Sequence, residues 1–322
     1  MKEVSVVIPN YNGIAFIRPC LDSLLQQTFQ DFEILVVDNG SQDGSREAVR
    51  EEYDGVRLLA LSENTGFCHA VNVGIEAAEA PYIILLNNDT RVHPDFVEKM
   101  YEGIKERPGA FSCAAKMVQM ADPAKIDDAG DYYNAFGWAF ARGKGKPEGK
   151  YRQPCRIFTA CAGAAIYKRE LLKETGLFDE EHFAYLEDMD LGYRARILGY
   201  ENWFLPDALV YHAGSGTSGS RYNLFKVRYS SRNNVYMIYK NMPVLQILLN
   251  LPFLFAGFGI KLIFFTAKGF GREYAAGIKN GFSISFQGRR SGKKMKFSWK
   301  NLKNYGIIQL QLWVNLFRRF MG

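Results

Sequence analysis

Short apolar runs and longer amphipathic segments alternate through the first hundred residues. Val4–Ile8 is apolar, rich in β-branched residues and halted by Pro9, which predicts a buried strand. Phe16–Gln27 carries helical spacing, and Pro19 is tolerable in its first turn. Phe32–Asp38 predicts a second strand. Ser41–Ser45 is a helix-start signal leading into Arg46–Tyr53. Val56–Leu61 predicts a third strand, Gly66–Glu79 a helix, Pro81–Leu86 a fourth strand and Pro94–Glu106 another helix. Such alternation predicts an α/β fold with a mostly parallel sheet and helices on both faces. Ligands bind beyond the carboxyl ends of the strands in these sheets. Three polar clusters stand at such ends, Pro9–Asn12, Asp38–Ser41 and Asn87–Asp89, and can converge on one crevice.

The pattern changes after Gly214–Ser220, a Gly/Ser-rich stretch that predicts a boundary between a domain of residues 1–220 and an extension of residues 221–322. Val244–Thr266 is long enough to span a bilayer, for which about 20 apolar residues suffice. Gln246, Asn250, Pro252 and Lys261 interrupt it. Charge sharpens the contrast: residues 1–220 carry a net −11, whereas residues 221–322 carry +17 with Glu273 as the single acid. The extension also holds 20 aromatic residues, among them Trp299, Trp313 and Phe317. Basic residues mixed with aromatics predict a helical segment lying on an anionic membrane surface, with a packed helical domain and a spanning helix as the alternatives. No nucleic-acid-binding motif accompanies the basic residues, so a nucleic-acid partner is not expected.

Of 322 residues, 48% are hydrophobic, which excludes a disordered chain. Five cysteines without a C-x-x-C pair argue against a disulfide framework and for a reducing compartment. The first apolar run is too short for a signal-peptide core, which points to the cytoplasm.

Several polar residues carry candidate chemistry. Asp38 ends an apolar strand, where it either accepts hydrogen bonds from a ribose or base or caps a turn. Asp89 either holds a divalent cation or caps the helix that follows. Glu187, Asp188 and Asp190 open an apolar-periodic helix. Carboxylates there complement the helix dipole, but three acids in four residues exceed what a cap needs, and one can serve as a general base. Arg194 and Arg196 can instead pair with these acids. His212 follows the apolar run Trp203–Val210, where a histidine is either structural or a metal or phosphate contact. No G-x-G-x-x-G fingerprint follows the first strand, which counts against a dinucleotide oxidoreductase.

Val6–Asn12, Val36–Gly44, Glu63–Gly66 with Asn72–Gly74, Leu85–Thr90 and Phe178–Leu191 occur in this order. Together they resemble the family-2 inverting glycosyltransferases, most of all the rhamnosyltransferase-type members, over residues 3–215. The resemblance implies a GT-A fold, a nucleotide-sugar donor, and Mg²⁺ or Mn²⁺. Pro9 and Tyr11 would line the nucleobase pocket, with Asp38 on the base or ribose and Asn64 and Gly66 closing it. Asn88 and Asp89 match the diphosphate and metal motif usually written D-x-D. Here it reads Asn87-Asn88-Asp89, so one strong ligand remains. His212 matches a histidine that can contact the metal, and Asp188 matches the catalytic base, with Glu187 and Asp190 supporting it. The implied reaction moves a sugar, L-rhamnose from dTDP-rhamnose in the first instance and a UDP-linked sugar otherwise. The implied acceptor is a hydroxyl of a polyprenyl-diphosphate-linked glycan in cell-surface polysaccharide synthesis. The enzyme would be peripheral on the cytoplasmic face of the inner membrane. A non-catalytic sugar-nucleotide or lipid-binding protein on the same fold is the alternative.

Overall fold

The computed structural model describes residues 2–214 and 222–321. The first half alternates as its pattern requires: β1 (Val4–Asn10), α1 (Ile14–Leu25), β2 (Phe32–Asn39), α2 (Ser45–Glu52), β3 (Val56–Leu61), α3 (Phe67–Ala77), β4 (Tyr82–Leu86), β5 (Thr90–Val92) and α4 (Phe96–Lys105). Strand side chains alternate between two cores, because successive residues point to opposite faces of a sheet. Val4, Val6 and Ile8 of β1, with Ile34 and Val36 of β2, share one core with Ile17, Leu21 and Leu24 of α1 and Met100 of α4. Val7, Leu35, Val37, Ile83 and Leu85 point the other way, into a core that includes Val71 and Ile75 of α3. Burial on both faces explains why these strands read as unbroken apolar runs.

The chain then adds β6 (Ala110–Gln119), β7 (Asp122–Asp128), β8 (Asp131–Tyr133), β9 (Ala139–Ala141), β10 (Cys155–Ile157), β11 (Ala164–Lys168), α5 (Arg169–Thr175), α6 (Glu187–Ile197) and β12 (Glu201–His212). The sheet runs β10-β12-β6-β11-β4-β1-β2-β3, with β5 on β12 and β7 on β6. Helical crossovers make β1 to β4 parallel, as expected. Beyond β4 the sheet is mixed: β11 runs antiparallel to both β4 and β6, and β12 runs parallel to β6. The "mostly parallel" expectation therefore holds for the first half of the sheet alone. All five cysteines are free thiols.

Four helices complete the chain: α7 (Leu224–Asn241), α8 (Val244–Ala267), α9 (Gly271–Ser291) and α10 (Leu302–Met321). Met237 of α7, Leu254 of α8 and Ile308 and Leu312 of α10 join the same core as Leu191 and Ile197 of α6. Beyond Gly214, the expected boundary stretch lies outside the described residues.

Helix α8 is inverted. Its buried positions are Gln246, Asn250, Leu254 and Gly257, while Leu245, Leu248, Phe255 and Ile263 are exposed, Phe255 to 84%. The polar interruptions of its sequence are the side that meets the protein. Gln246 accepts a 2.9 Å hydrogen bond from the Tyr193 hydroxyl. Asn250 exchanges two hydrogen bonds with Gln309 of α10, at 2.8 and 2.9 Å, and accepts a third from Trp313. Leu310, Val314 and Phe317 of α10 are exposed as well. Exposed apolar faces of this extent mark interaction surfaces, and α8 is long and apolar enough to cross a membrane.

Candidate active site

The carboxyl ends of β1, β2 and β4 are tied by a buried polar network. Asn10 donates to Asp38 at 3.0 Å and to Ser45 at 2.9 Å, and accepts from Asn88 at 2.7 Å. The other Asp38 oxygen accepts from the Ser41 amide and from Arg46, both at 3.1 Å. Asn39, next on β2, donates to Asn64 and to the Gly66 carbonyl, both at 3.1 Å, and accepts from the Thr65 amide and hydroxyl at 2.9 Å. Gly66 sits at φ +89°, and a Cβ there would come within 2.5 Å of the Phe183 ring, so this position needs glycine on both counts.

Above this network lies a cavity of about 760 Å³. Its walls include Pro9, Tyr11, Asn64, Gly66, Asn88, Asp89, Glu187, Asp188 and His212, nine of the residues singled out from the sequence. Asp38 and Asp190 are not among the lining residues. Asp38 is fully buried one layer below, holding the end of β1 at Asn10 and the loop that carries Ser41.

His212 is brought to Asp89 by strand register, since β12 pairs β5 with His212 opposite Thr90. Its Nε2 lies 3.3 Å from Asp89 Oδ1, and its Nδ1 lies 2.7 Å from Asp127 Oδ2. Burial lowers the imidazole pKa, but the two carboxylates outweigh it and raise it to about 9. Asp127 is opposed by its own burial, yet His212 and Lys144 bring it down to about 2. Oxygen and imidazole donors facing each other, with the second ring nitrogen fixed by a carboxylate, form a donor set suited to Mg²⁺ or Mn²⁺. Asp89 and His212 thus fit the metal that the sequence implied.

The start of α6 lines the same cavity. Three non-glycine residues before it, Phe183, Tyr185 and Leu186, have φ of 60°, 73° and 64°. That conformation is strained for bulky side chains and persists only when the surroundings impose it. Here α7 imposes it: the Asn233 side-chain amide donates to the carbonyls of His182, Ala184 and Tyr185 at 2.9, 2.8 and 2.7 Å. Arg232 donates to the carbonyls of Glu181 and His182.

Asp188, partly open to the cavity, follows this turn. Burial raises its pKa against hydrogen bonds from the Met189 and Ala162 amides. Glu187 is raised to about 8 by burial and by the Asp188 charge. Asp190 behaves in the opposite way. It bonds Arg194 at 2.9 Å, Lys240 at 2.8 Å and Asn241 at 2.7 Å, and these cations hold its pKa well below the carboxylate range despite full burial. Asp190 therefore locks α6 to α7 and does not tune Asp188. Arg194 takes the ion-pair role open to it, while Arg196 donates to the Ile157 carbonyl and to Gln311.

Sequence reasoning missed Asn10, Asn39, Asp127 and Asn233. Asn10 and Asn39 lay inside the quoted motifs. The acid-rich run Ile126-Asp127-Asp128 was visible, but nothing local ties it to His212, 85 residues away. Asn233 gave no sequence signal.

The sequence model of the family described as Glycosyl transferase family 2 matches residues 5–176. An N-acetylglucosaminyl-diphospho-decaprenol L-rhamnosyltransferase of Mycobacterium tuberculosis (strain CDC 1551 / Oshkosh) is 26% identical over 239 residues, covering 66% of this chain and 77% of that one. Three further curated relatives, at 35–36% identity, match over only 13–36% of their own length. Among solved structures, GalNAc-T7 with UDP, GalNAc and Mn²⁺ superposes with a TM-score of 0.61 at 18% identity, covering 74% of this chain and 48% of that one. The mannosyltransferase PcManGT of Pyrobaculum calidifontis, with GDP-Man and Mn²⁺, gives 0.53 at 18% identity, covering 96% and 87%. At such identities the structures speak for the fold alone, which is that of the GT-A glycosyltransferases. With the family match spanning more than half its length, the chain belongs to glycosyltransferase family 2.

Proposed function

We propose that the protein transfers a sugar from a nucleoside-diphosphate donor to a hydroxyl of a lipid-linked glycan, with inversion, in the synthesis of a cell-surface polysaccharide. The observation that carries this reading is one cavity lined by two kinds of chemistry. Asp89 and His212 stand beyond the strand ends, and Asp188, a carboxylate with a raised pKa, lines the same cavity. L-Rhamnose on dTDP is the first-choice donor, supported by the rhamnosyltransferase relative. A UDP-linked sugar is the second.

Pro9, Tyr11, Asn64 and Gly66 would flank the base, with Asn88 and its partner Asn10 beneath the diphosphate. Asp38 would act through the strand end and loop that it holds. Asp89 and His212 would hold Mg²⁺ or Mn²⁺, which when bound supplies positive charge to the diphosphate. Asp188 accepts the proton of the acceptor hydroxyl. That oxygen forms a bond to the anomeric carbon, while the bond from this carbon to the phosphate oxygen breaks and its electron pair leaves with the nucleoside diphosphate. A base with a raised pKa suits proton transfer near neutrality. The apolar faces of α8 and α10, in a region with a single acid, support a peripheral seat on the cytoplasmic face of the inner membrane. Residues 1–220 would then carry the chemistry and residues 221–322 the membrane contact.

A thermal-shift panel of dTDP, UDP and GDP, each with and without Mn²⁺, tests the donor half of the reading. Ligand at 100 times its dissociation constant adds about 2.7 kcal/mol of stability. A Mn²⁺-dependent rise with dTDP or UDP is expected, and no rise with any nucleotide would contradict it.

A further inference from the structure

A second cavity, of about 250 Å³, lies between α7, α8 and α9. Tyr185, Leu186 and Lys226 line both this cavity and the larger one, so the two adjoin beside Glu187 and Asp188. Its other walls include Tyr222, Ser230, Lys261, Phe265 and Tyr274. Two features are unusual for a packing void between helices. Lys261 comes from the most apolar helix of the chain and turns inward, its Nζ 5.9 Å from the Trp138 ring centre. Glu273, the single acid of this region, pairs with Arg228 at 3.7 Å and not with Lys261. Tyr274 is 2% exposed, and its hydroxyl has no hydrogen-bond partner among the described residues. Leaving such a group unpaired is costly, so a cationic, donor-bearing cavity of this kind calls for an anion. The aromatic side is complete, with Phe265 stacked on Tyr274 at 5.1 Å and Tyr222 at 5.7 Å from Phe265. Outward from Lys261, α8 exposes Ile260, Leu262, Ile263 and Phe264.

We propose that this second cavity seats the diphosphate of a prenyl-diphosphate-linked acceptor, a role that rests on the transferase reading above. Lys261 and Lys226 neutralise the diphosphate, and the Tyr274 hydroxyl donates to one of its oxygens. The prenyl chain leaves along the exposed face of α8 into the lipid. The sugar on the other side of the diphosphate enters the larger cavity at Asp188. The order lipid, diphosphate, sugar in the acceptor thus matches the order apolar face, cationic cavity, carboxylate in the protein. It also accounts for a lysine within an otherwise membrane-facing helix.

The test titrates the full chain, held saturated with Mn²⁺ and the nucleoside diphosphate that raises its melting temperature, with geranyl diphosphate, inorganic pyrophosphate and geraniol. Geranyl diphosphate should bind without displacing the nucleotide, and more tightly than either fragment. Lys261→Gln should weaken it about tenfold and Tyr274→Phe several-fold. Both variants should keep the metal-dependent nucleotide shift, which also shows that they fold; should Lys261→Gln lose it, Tyr274→Phe decides. Wild-type binding by Tyr274→Phe, or by a folded Lys261→Gln, would overturn the proposal. So would displacement by nucleotide, which would mean binding in the donor cleft, or equal binding of geraniol, which would mean an apolar groove alone. A wild-type chain that binds no nucleotide overturns the transferase reading instead, and geranyl diphosphate binding is then read in its absence.

Discussion

Helices α1 and α8 bury opposite kinds of residue. Helix α1 turns Ile17, Cys20, Leu21 and Leu24 inward and shows Asp22 to solvent. Helix α8 turns Gln246 and Asn250 inward, satisfies them on Tyr193, Gln309 and Trp313, and shows Leu245, Phe255 and Ile263 outward. The same rule explains both if their solvents differ: apolar area leaves water in each case, into a protein core for α1 and into lipid for α8. A second contrast separates Asp188 from Asp190, two positions apart on α6. One faces the cavity with its pKa raised; the other is locked by Arg194 and Lys240 with its pKa depressed. The lesson is that residues 222–321 do two things, bracing the site from within and presenting an apolar face outward.

The bracing side breaks most severely. Lys240 joins Asp179 at 2.7 Å and Asp190 at 2.8 Å inside the protein. Lys240→Met leaves those carboxylates under-compensated and should cost about 3–5 kcal/mol, read as a fall in denaturation midpoint. Both acids titrate far below their unfolded value of about 3.9 in the native state. Their contribution is therefore complete above about pH 4 and is withdrawn as pH falls below it. Wild-type stability should decline on that side, and the Lys240→Met variant should decline less. An unchanged midpoint in the variant would remove the bracing role.

The exposed apolar face breaks differently. Phe255→Ser should leave folding stability within about 0.5 kcal/mol. It should weaken binding to phosphatidylglycerol vesicles about 10- to 100-fold, the cost of withdrawing about 1.5–3 kcal/mol of buried side chain. Equal vesicle binding by variant and wild type would place this face elsewhere than in lipid. Smaller again is Asn233→Ala, which frees the carbonyls of His182, Ala184 and Tyr185. A cost of about 1–3 kcal/mol is expected, with a loss of transfer rate larger than any loss of nucleotide binding. Equal loss of both would separate the strained turn from the chemistry.

Sequence patterning reached far into the first half of the fold. Val56–Leu61 matches the edge strand β3 to its ends, and Phe32–Asp38 stops one residue short of the end of β2, whose buried stretch reads as an apolar run. Strands β8, β9 and β10 carry no such signal, with three residues each, and the pairing of β11, antiparallel to strands far away in the chain, is not written in its own residues. At the site, Asp89, Asp188 and His212 were legible as polar residues ending apolar runs or opening a helix. Asp127 was not, since only the β6–β7 and β6–β12 pairings carry it to His212. For α8 the sequence read Gln246 and Asn250 as interruptions. Spaced four apart, they form the inward stripe of an inverted helix, and only the packing against α10 reveals which side faces in.

The central claim is that Asp188 removes the acceptor proton in a cavity whose donor side works without it. The most direct measurement compares wild type and Asp188→Asn for transfer and for metal-dependent nucleotide binding. Transfer should fall about 10²- to 10⁴-fold, while nucleotide binding and melting temperature hold, because the substitution removes a charge that burial disfavours. In the wild type, transfer should rise with pH through a limb above the ordinary carboxylate range. Near wild-type turnover by Asp188→Asn, with that limb unchanged, would contradict the account.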